Sequence, residues 1–177
     1  MQSYYAKGGF TFSHRNMRFR GDLAKRPARP PSGRGTVVPL ASVPFEEVLA
    51  YDRRCFPAPR PTFLKAWISQ PDALSVGCRI EGGLRGFAVV RRCGEGCKVG
   101  PLFADDLSVA EDLLAPLTEF AAGGPIFIDA PENNRSAMEL VRGWGMEEVF
   151  GCARMYLGPV PVSAQERVFG VTTLELG

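Results

Sequence analysis

The stretch of sequence that decides the fold is PIFIDAPENNRSAMELVRGWGM, residues 125–146. It begins with the continuous apolar run 125–128, which is typical of a strand buried on both faces of a sheet. After a short polar connection, Asn134 is a favourable residue for beginning a helix. That helix would bury three positions on one face, namely Ala137, Met138 and Val141. A buried strand followed by an amphipathic helix predicts a sheet that helices cover.

Three strand-like segments precede this unit, at residues 74–80, 84–92 and 97–103. The first two are joined by Glu81-Gly82-Gly83, a sequence that favours a tight hairpin turn. A second short turn, which contains Gly94, separates the other two. The order predicts an antiparallel meander that leads towards the buried strand.

Three more helices are predicted outside the opening stretch. Pro44 suits the first turn of a helix over 45–55, and a shorter helix is expected over 60–69. Ser108, with Glu111 three residues later, predicts a capping box at the start of the third.

The whole chain then reads β-α-α-β-β-β-α-β-α-β-β. Its first strand is Val37-Val38, and two extended segments, 149–157 and 169–176, end it. Antiparallel strands before a helix, a buried strand and another helix indicate a mixed sheet. We therefore expect an α/β fold (an α+β mixed sheet) with helices on both faces, in three layers, α/β/α.

The first 35 residues differ in charge from the rest. They hold eight Lys and Arg against one acidic residue, whereas 36–177 hold 13 basic and 18 acidic residues. Residues 9–20 alternate like a strand, with a turn predicted around His14 and that side chain exposed. The Pro- and Gly-rich residues 23–35 are typical of a linker. The basic, aromatic arm could bind nucleic acid, but a strand followed by a solvated linker is the favoured interpretation.

Composition argues against several other classes of protein. There is no run of about 18 apolar residues, so no membrane span is predicted, and residues 1–10 lack the apolar core of a signal peptide. Cys93 and Cys97 are spaced like metal ligands, but a zinc site needs about four ligands and the only histidine is distant. No metal is therefore expected. The odd count of five cysteines favours free thiols in a cytoplasmic protein.

Residues 129–146 resemble the signature of the GNAT superfamily of N-acetyltransferases. In that signature an Asn begins a helix, an Ala follows three residues later and a Gly-Phe pair ends the helix. Further motifs, in matching order, resemble the C-terminal module of bacterial proteins with two tandem GNAT modules. They are Asp52–Phe56, Arg91 with Gly100-Pro101-Leu102, Ile128-Asp129-x-Pro131, Arg154-Met155-Tyr156-x-Gly158 and the ending FGVTTLELG.

The resemblance implies a GNAT acyl-CoA N-acyltransferase fold over residues 36–177. It also implies transfer of an acetyl group from acetyl-CoA to a primary amine of a small molecule or a protein. In the family, pantetheine extends the sheet where the fourth and fifth strands separate, and the pyrophosphate rests on the N-terminus of the third helix. By position, acetyl-CoA would contact Val99, Gly100, Pro101, Leu102, Phe103, Ala104, Ser108 and Asn134.

The loop 103–108 departs from the family pattern. It lacks the glycine that lets the backbone approach the phosphates. Asp105 and Asp106 also add negative charge at the expected anion site. We therefore expect weak binding of acetyl-CoA.

The acid of the reaction is a second departure. Val141 stands where the family carries the Tyr that protonates the leaving thiolate. Asp129, at the end of the buried strand, is then the expected general base, and Tyr156 or Cys152 the substitute acid. A non-catalytic GNAT-fold module, which binds a ligand or packs on a catalytic module, remains the alternative function.

The N-terminal arm also carries a resemblance. Tyr5 to Phe10 is similar to the end of the signature helix of another GNAT module, where a Tyr four residues before Gly-Phe is the acid. Residues 1–22 are therefore interpreted as the remnant of a preceding module, and 23–35 as a linker. Because unpaired strands favour association, the arm is expected to dock on its own domain or to form a homodimer.

Overall fold

The computed structural model describes residues 2–22 and 32–175. The elements of these residues are, in order, α1 (Gln2–Lys7), β1 (Phe10–Gly21), β2 (Thr36–Pro39), α2 (Phe45–Cys55), α3 (Pro61–Ile68), β3 (Ala73–Ile80), β4 (Gly83–Arg92), β5 (Cys97–Ala104), α4 (Leu107–Phe120), β6 (Ile126–Pro131), α5 (Arg135–Gly143), β7 (Glu147–Leu157) and β8 (Val168–Gly170). Short 3-10 turns occur at Leu40–Ser42 and Gln165–Arg167.

The strands form one mixed sheet in the order β2-β3-β4-β5-β6-β1-β7, with β8 paired to β5. Strands β5 and β6 run parallel to each other, and the other paired strands are antiparallel. The mixed α/β sheet predicted from the sequence is therefore confirmed. The antiparallel meander is β3-β4-β5, and its first hairpin turns at Glu81-Gly82, as expected.

Successive residues of β4 point to opposite faces of the sheet. Phe87 packs with the residues of α2 and α3, and Ala88 packs with those of α4 and α5. Each face therefore has its own apolar core beneath its own helices, which gives the three predicted layers.

Strand β1 brings the basic arm into the interior of the sheet, between β6 and β7. Residues 16–21 pair with β6 along one edge, and residues 10–20 pair with β7 along the other. The turn predicted around His14 is wrong, because β1 runs without a break from Phe10 to Gly21. Its pairing with β7 shifts register at two points, between Phe12 and His14 and between Arg18 and Phe19. The arm docks on its own domain, and a homodimer through the arm stays a prediction. Its origin as a remnant of another module stays a prediction, and most of the linker, 23–31, lies outside the described residues.

Two element ends differ from the prediction. Asp106, and not Ser108, caps α4, because Asp106 has extended backbone angles and its carboxylate accepts the Val109 N–H. The last strand is only β8, since beyond Gly170 the chain bonds to β6 and then turns. Within residues 2–22 and 32–175, no helix is long and apolar enough to cross a membrane.

Candidate functional site

The gap between β5 and β6 is the place where the family resemblance puts the acyl donor. These strands pair only from Cys97 opposite Ile126 to Val99 opposite Ile128. Beyond that point β8 lies between them. It pairs antiparallel with β5, and the Val171 N–H donates to the carbonyl oxygen of Asp129 on β6 at 2.9 Å. Residues 168–172, which we call the C-terminal segment, therefore continue the sheet where pantetheine is expected.

The predicted donor-binding residues of β5 are fully buried beneath this segment. The carbonyl oxygen of Gly100 accepts a hydrogen bond from Trp67 Nε1 at 2.9 Å. A Cβ on Gly100 would lie only 2.4 Å from the carbonyl oxygen of Thr172, so the C-terminal backbone rests directly on this glycine. The residues present leave no place for pantetheine in the gap, and acetyl-CoA does not fit this groove as it is folded.

The N-terminus of α4 is the place expected for the pyrophosphate. The carboxylate of Asp106 accepts the Val109 N–H at 3.0 Å and the Ser108 hydroxyl at 2.6 Å, and Arg34 lies 3.4 Å away. Partial burial raises the pKa of Asp106, but the hydrogen bonds and Arg34 lower it more, so the net pKa lies below its ordinary value. The N-terminus of α4 is thus occupied by the carboxylate of its own capping residue, Asp106.

Asp105, beside that cap, is surrounded by cations. Its carboxylate lies 2.7 Å from Arg167, 3.5 Å from Arg85 and 3.7 Å from Arg54. The Tyr51 hydroxyl donates to it at 2.7 Å, and burial together with this bond raises the pKa of Tyr51. The acidic charge that the sequence predicted at this loop is therefore already paired.

Asn134 caps α5, as predicted, by accepting the Ala137 N–H at 3.1 Å. Its Nδ2 lies within hydrogen-bonding distance of the carbonyl oxygens of Gln165, Glu166 and Val168. These contacts tie the C-terminal segment to the helix, and the predicted contact of Asn134 with the donor stays a prediction.

Asp129, the predicted base, is fully buried at the end of β6. Arg18 on β1 donates to both of its oxygens, at 2.7 and 3.0 Å, and Lys98 Nζ lies 2.5 Å away. The carboxylate is thus held between two cations. Arg18 was hidden from sequence reasoning because it comes from the arm, more than a hundred residues earlier.

A cleft on the other side of the C-terminal segment contains Tyr156, the predicted acid. We call it the His14 cleft; its polar lining includes His14, Asn16, Arg154, Tyr156, Ser163 and Gln165, and its apolar lining includes Phe56, Pro57, Phe103, Val168 and Val171. Strands β1 and β7, the turn after α2 and the C-terminal segment build it. Asp129 does not line this cleft.

His14 is buried in this cleft, with 6% of its surface exposed, so its predicted exposure to solvent is wrong. The reason is that β1 lies inside the sheet. Burial and the nearby Arg154 lower its pKa below the ordinary 6.5, while Glu132 and Asn16 oppose the shift. Its Nδ1 lies 3.0 Å from the Ser13 hydroxyl. The signal that could have identified it is the pair His14 and Asn16, two polar residues that share one face of a strand.

Tyr156 and Arg154 lie side by side on the cleft wall. Arg154 Nε donates to the Tyr156 hydroxyl oxygen at 3.1 Å. Asn16 is buried beside them, and its Oδ1 has no hydrogen-bond partner among the described residues. A buried carbonyl oxygen without a donor is unusual in a folded protein. Within the described residues, no group of three or more His, Cys, Asp or Glu side chains could hold a metal ion.

Comparison with known proteins agrees with this fold. A family model described as an acetyltransferase (GNAT) domain matches residues 48–170. The holothin acyltransferase of a Pseudoalteromonas strain is 28% identical over 174 residues, which cover 98% of this chain and 58% of that protein.

Solved structures that resemble this chain are also described as acetyltransferases. A candidate acetyltransferase from Pyrococcus horikoshii is 31% identical with a TM-score of 0.77, over 99% of this chain and 57% of that one. A GCN5-related N-acetyltransferase from Sphaerobacter thermophilus, 12% identical with a TM-score of 0.64 over 93% of this chain and 58% of that one, shares the fold. The chain thus spans a little over half the length of these relatives. It belongs to the GNAT acetyltransferase family.

Proposed function

We propose that the protein takes part in the transfer of an acetyl group from acetyl-CoA to a primary amine, that the described part of the chain holds the amine, and that a separate acyl-CoA-binding domain presents the donor. The observation that carries the proposal is the His14 cleft. It combines a buried imidazole of lowered pKa with the Tyr156 hydroxyl, at the side of a groove that the chain itself fills. The name of the curated relative supports acyl transfer as the overall reaction.

An amine attacks an acyl group only when it is unprotonated, so the site must take up its proton. With a pKa below 6.5, His14 is neutral at pH 7 and is able to accept that proton. In this proposal His14 takes the role that the sequence suggested for Asp129, since Asp129 is held by two cations outside the cleft.

Tyr156 keeps its proposed place in the site. Because Arg154 donates to its hydroxyl oxygen, the hydroxyl hydrogen is available to a bound group. The unpartnered Oδ1 of Asn16 supplies an acceptor for an N–H of the amine. The cleft has room for about 30 Å³, which suits the amino group at the end of an acceptor and not the whole acceptor. Five free cysteines support a reducing, cytoplasmic location.

A second candidate is a module that takes no part in chemistry and only packs against a catalytic one. The filled gap between β5 and β6 favours it, because this domain does not then hold its own donor. The two candidates differ in whether the His14 cleft binds an amine.

That difference can be measured directly, because His14 is the only histidine of the chain and its imidazole NMR signals need no assignment. We expect titration with methylamine or ethanolamine above pH 7 to shift these signals saturably, and Asn16→Asp and Tyr156→Phe to change the affinity. Tyr4→Phe, on an exposed side chain of α1, is the matched control. Unchanged His14 signals with every amine would leave only the second candidate.

A further inference from the structure

We infer that the C-terminal segment Val168–Thr172 is a permanent part of the gap between β5 and β6, and that this domain has lost the binding of acyl-CoA that its family implies. The inference concerns the donor groove alone. It holds whether or not the His14 cleft binds an amine.

The first support is the backbone. On one side the segment pairs with β5, with Gly170 opposite Leu102 and Val168 opposite Phe103. On the other side Val171 bonds to the Asp129 carbonyl. The strand edges that an extended ligand would use are therefore already satisfied by peptide groups, and a ligand could bind only by breaking these bonds.

The second support is the burial of the segment. Val168, Phe169 and Val171 are 3%, 0% and 6% exposed, and Phe169 belongs to the core beneath α4 and α5. Val168 and Val171 pack in the core of the opposite face. Release of the segment would expose apolar side chains of both cores to water, which opposes reversible opening.

The third support is a set of polar side chains that fasten the segment at both ends. Arg60 donates to Thr172 Oγ1 at 3.1 Å and forms a two-bond ion pair with the buried Asp52, at 2.9 and 2.7 Å. At the other end the Asn134 amide meets the carbonyl oxygen of Val168 at 2.9 Å. The charge of Asp52 is thus used to orient an arginine onto the segment.

The fourth support is the placement of two glycines. A Cβ on Gly100 would lie 2.4 and 2.6 Å from the carbonyl oxygens of Thr172 and Val171. A Cβ on Gly170 would lie 3.1 Å from Ile128 Cγ2 and 3.3 Å from Leu102 Cβ. At Gly100 the segment approaches the strand more closely than a side chain allows, whereas at Gly170 a side chain would need its neighbours to shift by a few tenths of an ångström. The two glycines are therefore placed where the gap has to accommodate the segment.

The anion site has its own substitute as well. The Asp106 carboxylate accepts the Val109 N–H at the start of α4, and Asp105 neutralises the arginines beside it. The backbone of the segment therefore occupies the place expected for pantetheine. The carboxylates of Asp105 and Asp106 occupy the place expected for the phosphates. Both parts of the donor site are closed by groups of this chain.

The test combines calorimetry with hydrogen–deuterium exchange on the wild-type chain, with acetyl-CoA and with CoA at millimolar concentration. We expect no heat of binding, and slow exchange of the amides of residues 168–171 that neither ligand changes. Binding that speeds exchange in this segment would overturn the inference, since the segment would then be a movable gate. Binding without any change there would overturn it too, because the donor would have another site.

A disulfide lock gives an independent test. In the double variant Leu102→Cys, Gly170→Cys, the two Cβ atoms would start 3.3 Å apart and would have to separate by a few tenths of an ångström to reach disulfide geometry. We expect the oxidised and reduced forms to behave alike towards acetyl-CoA, with no binding in either. Binding in the reduced form that oxidation abolishes would contradict permanence. The His14 signals report on the amine proposal separately, so failure of one idea leaves the other measurable.

Discussion

His14 and Asp129 are both buried ionisable side chains, but the fold surrounds them differently. Asp129 has opposite charges within 3 Å on two sides, from Arg18 and Lys98. His14 faces Arg154, a like charge when it is protonated, and the hydroxyl of Ser13. The surroundings of His14 favour its neutral form, whereas Asp129 serves as the shared counter-charge of two cations.

For His14 we expect an NMR titration midpoint below 6.5, because burial and Arg154 oppose protonation. The unfolded chain then binds more protons than the folded one. Stability from the neutral imidazole is therefore complete above about pH 6.5 and is lost as the pH falls through the folded pKa.

The check is denaturant unfolding of wild type and His14→Gln at a series of pH values. The loss of stability just below pH 6.5 should shrink in the variant. Identical pH profiles for the two proteins would show that His14 is not responsible.

For Asp129 we expect Asp129→Asn to lower the free energy of unfolding by about 3–5 kcal/mol, because it leaves Lys98 and Arg18 without their counter-charge. Urea unfolding followed by circular dichroism measures the change. Glu148→Gln, at an exposed position of β7, is the matched control and should stay within about 0.5 kcal/mol of wild type. A small effect at Asp129 as well would mean that the two cations do not depend on it.

At the scale of elements, the N-termini of α4 and α5 show where local sequence is informative. Asn134 directly precedes the amphipathic pattern of α5, which predicts it as the capping residue, and this is confirmed. Before α4 the chain offers Asp105, Asp106 and Ser108 in close succession, and local pattern does not choose between them. The choice falls on Asp106 because Arg167 and Tyr51 already hold Asp105.

We expect Asp106→Ala to destabilise the protein by about 1 kcal/mol, the usual effect of losing a helix N-cap. Asp106→Asn keeps an oxygen for the Val109 N–H and should lose less. Because the pKa of Asp106 lies below its ordinary value, its contribution is present above that ordinary value and is lost as the pH falls through the lowered pKa. Thermal unfolding of the three proteins at pH 7 compares them, and an unchanged Asp106→Ala would argue against the cap.

At the scale of the whole molecule, the sequence predicted the element types because periodicity and turn residues are local signals. The helix over 45–55 and the hairpin at Glu81-Gly82 were confirmed for that reason. The positions of β1 and β8 depend on pairing across most of the chain, which no local pattern encodes. The sequence therefore missed the burial of His14 on β1 and the closure of the donor gap by β8.

Truncation separates the two parts of the arm. Removal of residues 2–7 should change stability little, since α1 has no buried residue. Removal of residues 2–22 should abolish cooperative unfolding and promote aggregation, because it leaves β6 and β7 with unpaired edges and Asp129 without Arg18. Circular dichroism and size-exclusion chromatography distinguish these outcomes. A stable, monomeric 23–177 fragment would contradict a structural role for β1.

The position of β1 between β6 and β7 has a consequence for synthesis on the ribosome. β1 is made before these two partners, which follow only after about a hundred further residues. Until β6 and β7 have been synthesised, the apolar side chains of β1 that will be buried are exposed to water. The sheet can form completely only after β7 has been made. Because contacts between residues so far apart in the chain form slowly, we expect a late, rate-limiting docking step and a nascent chain that benefits from a chaperone.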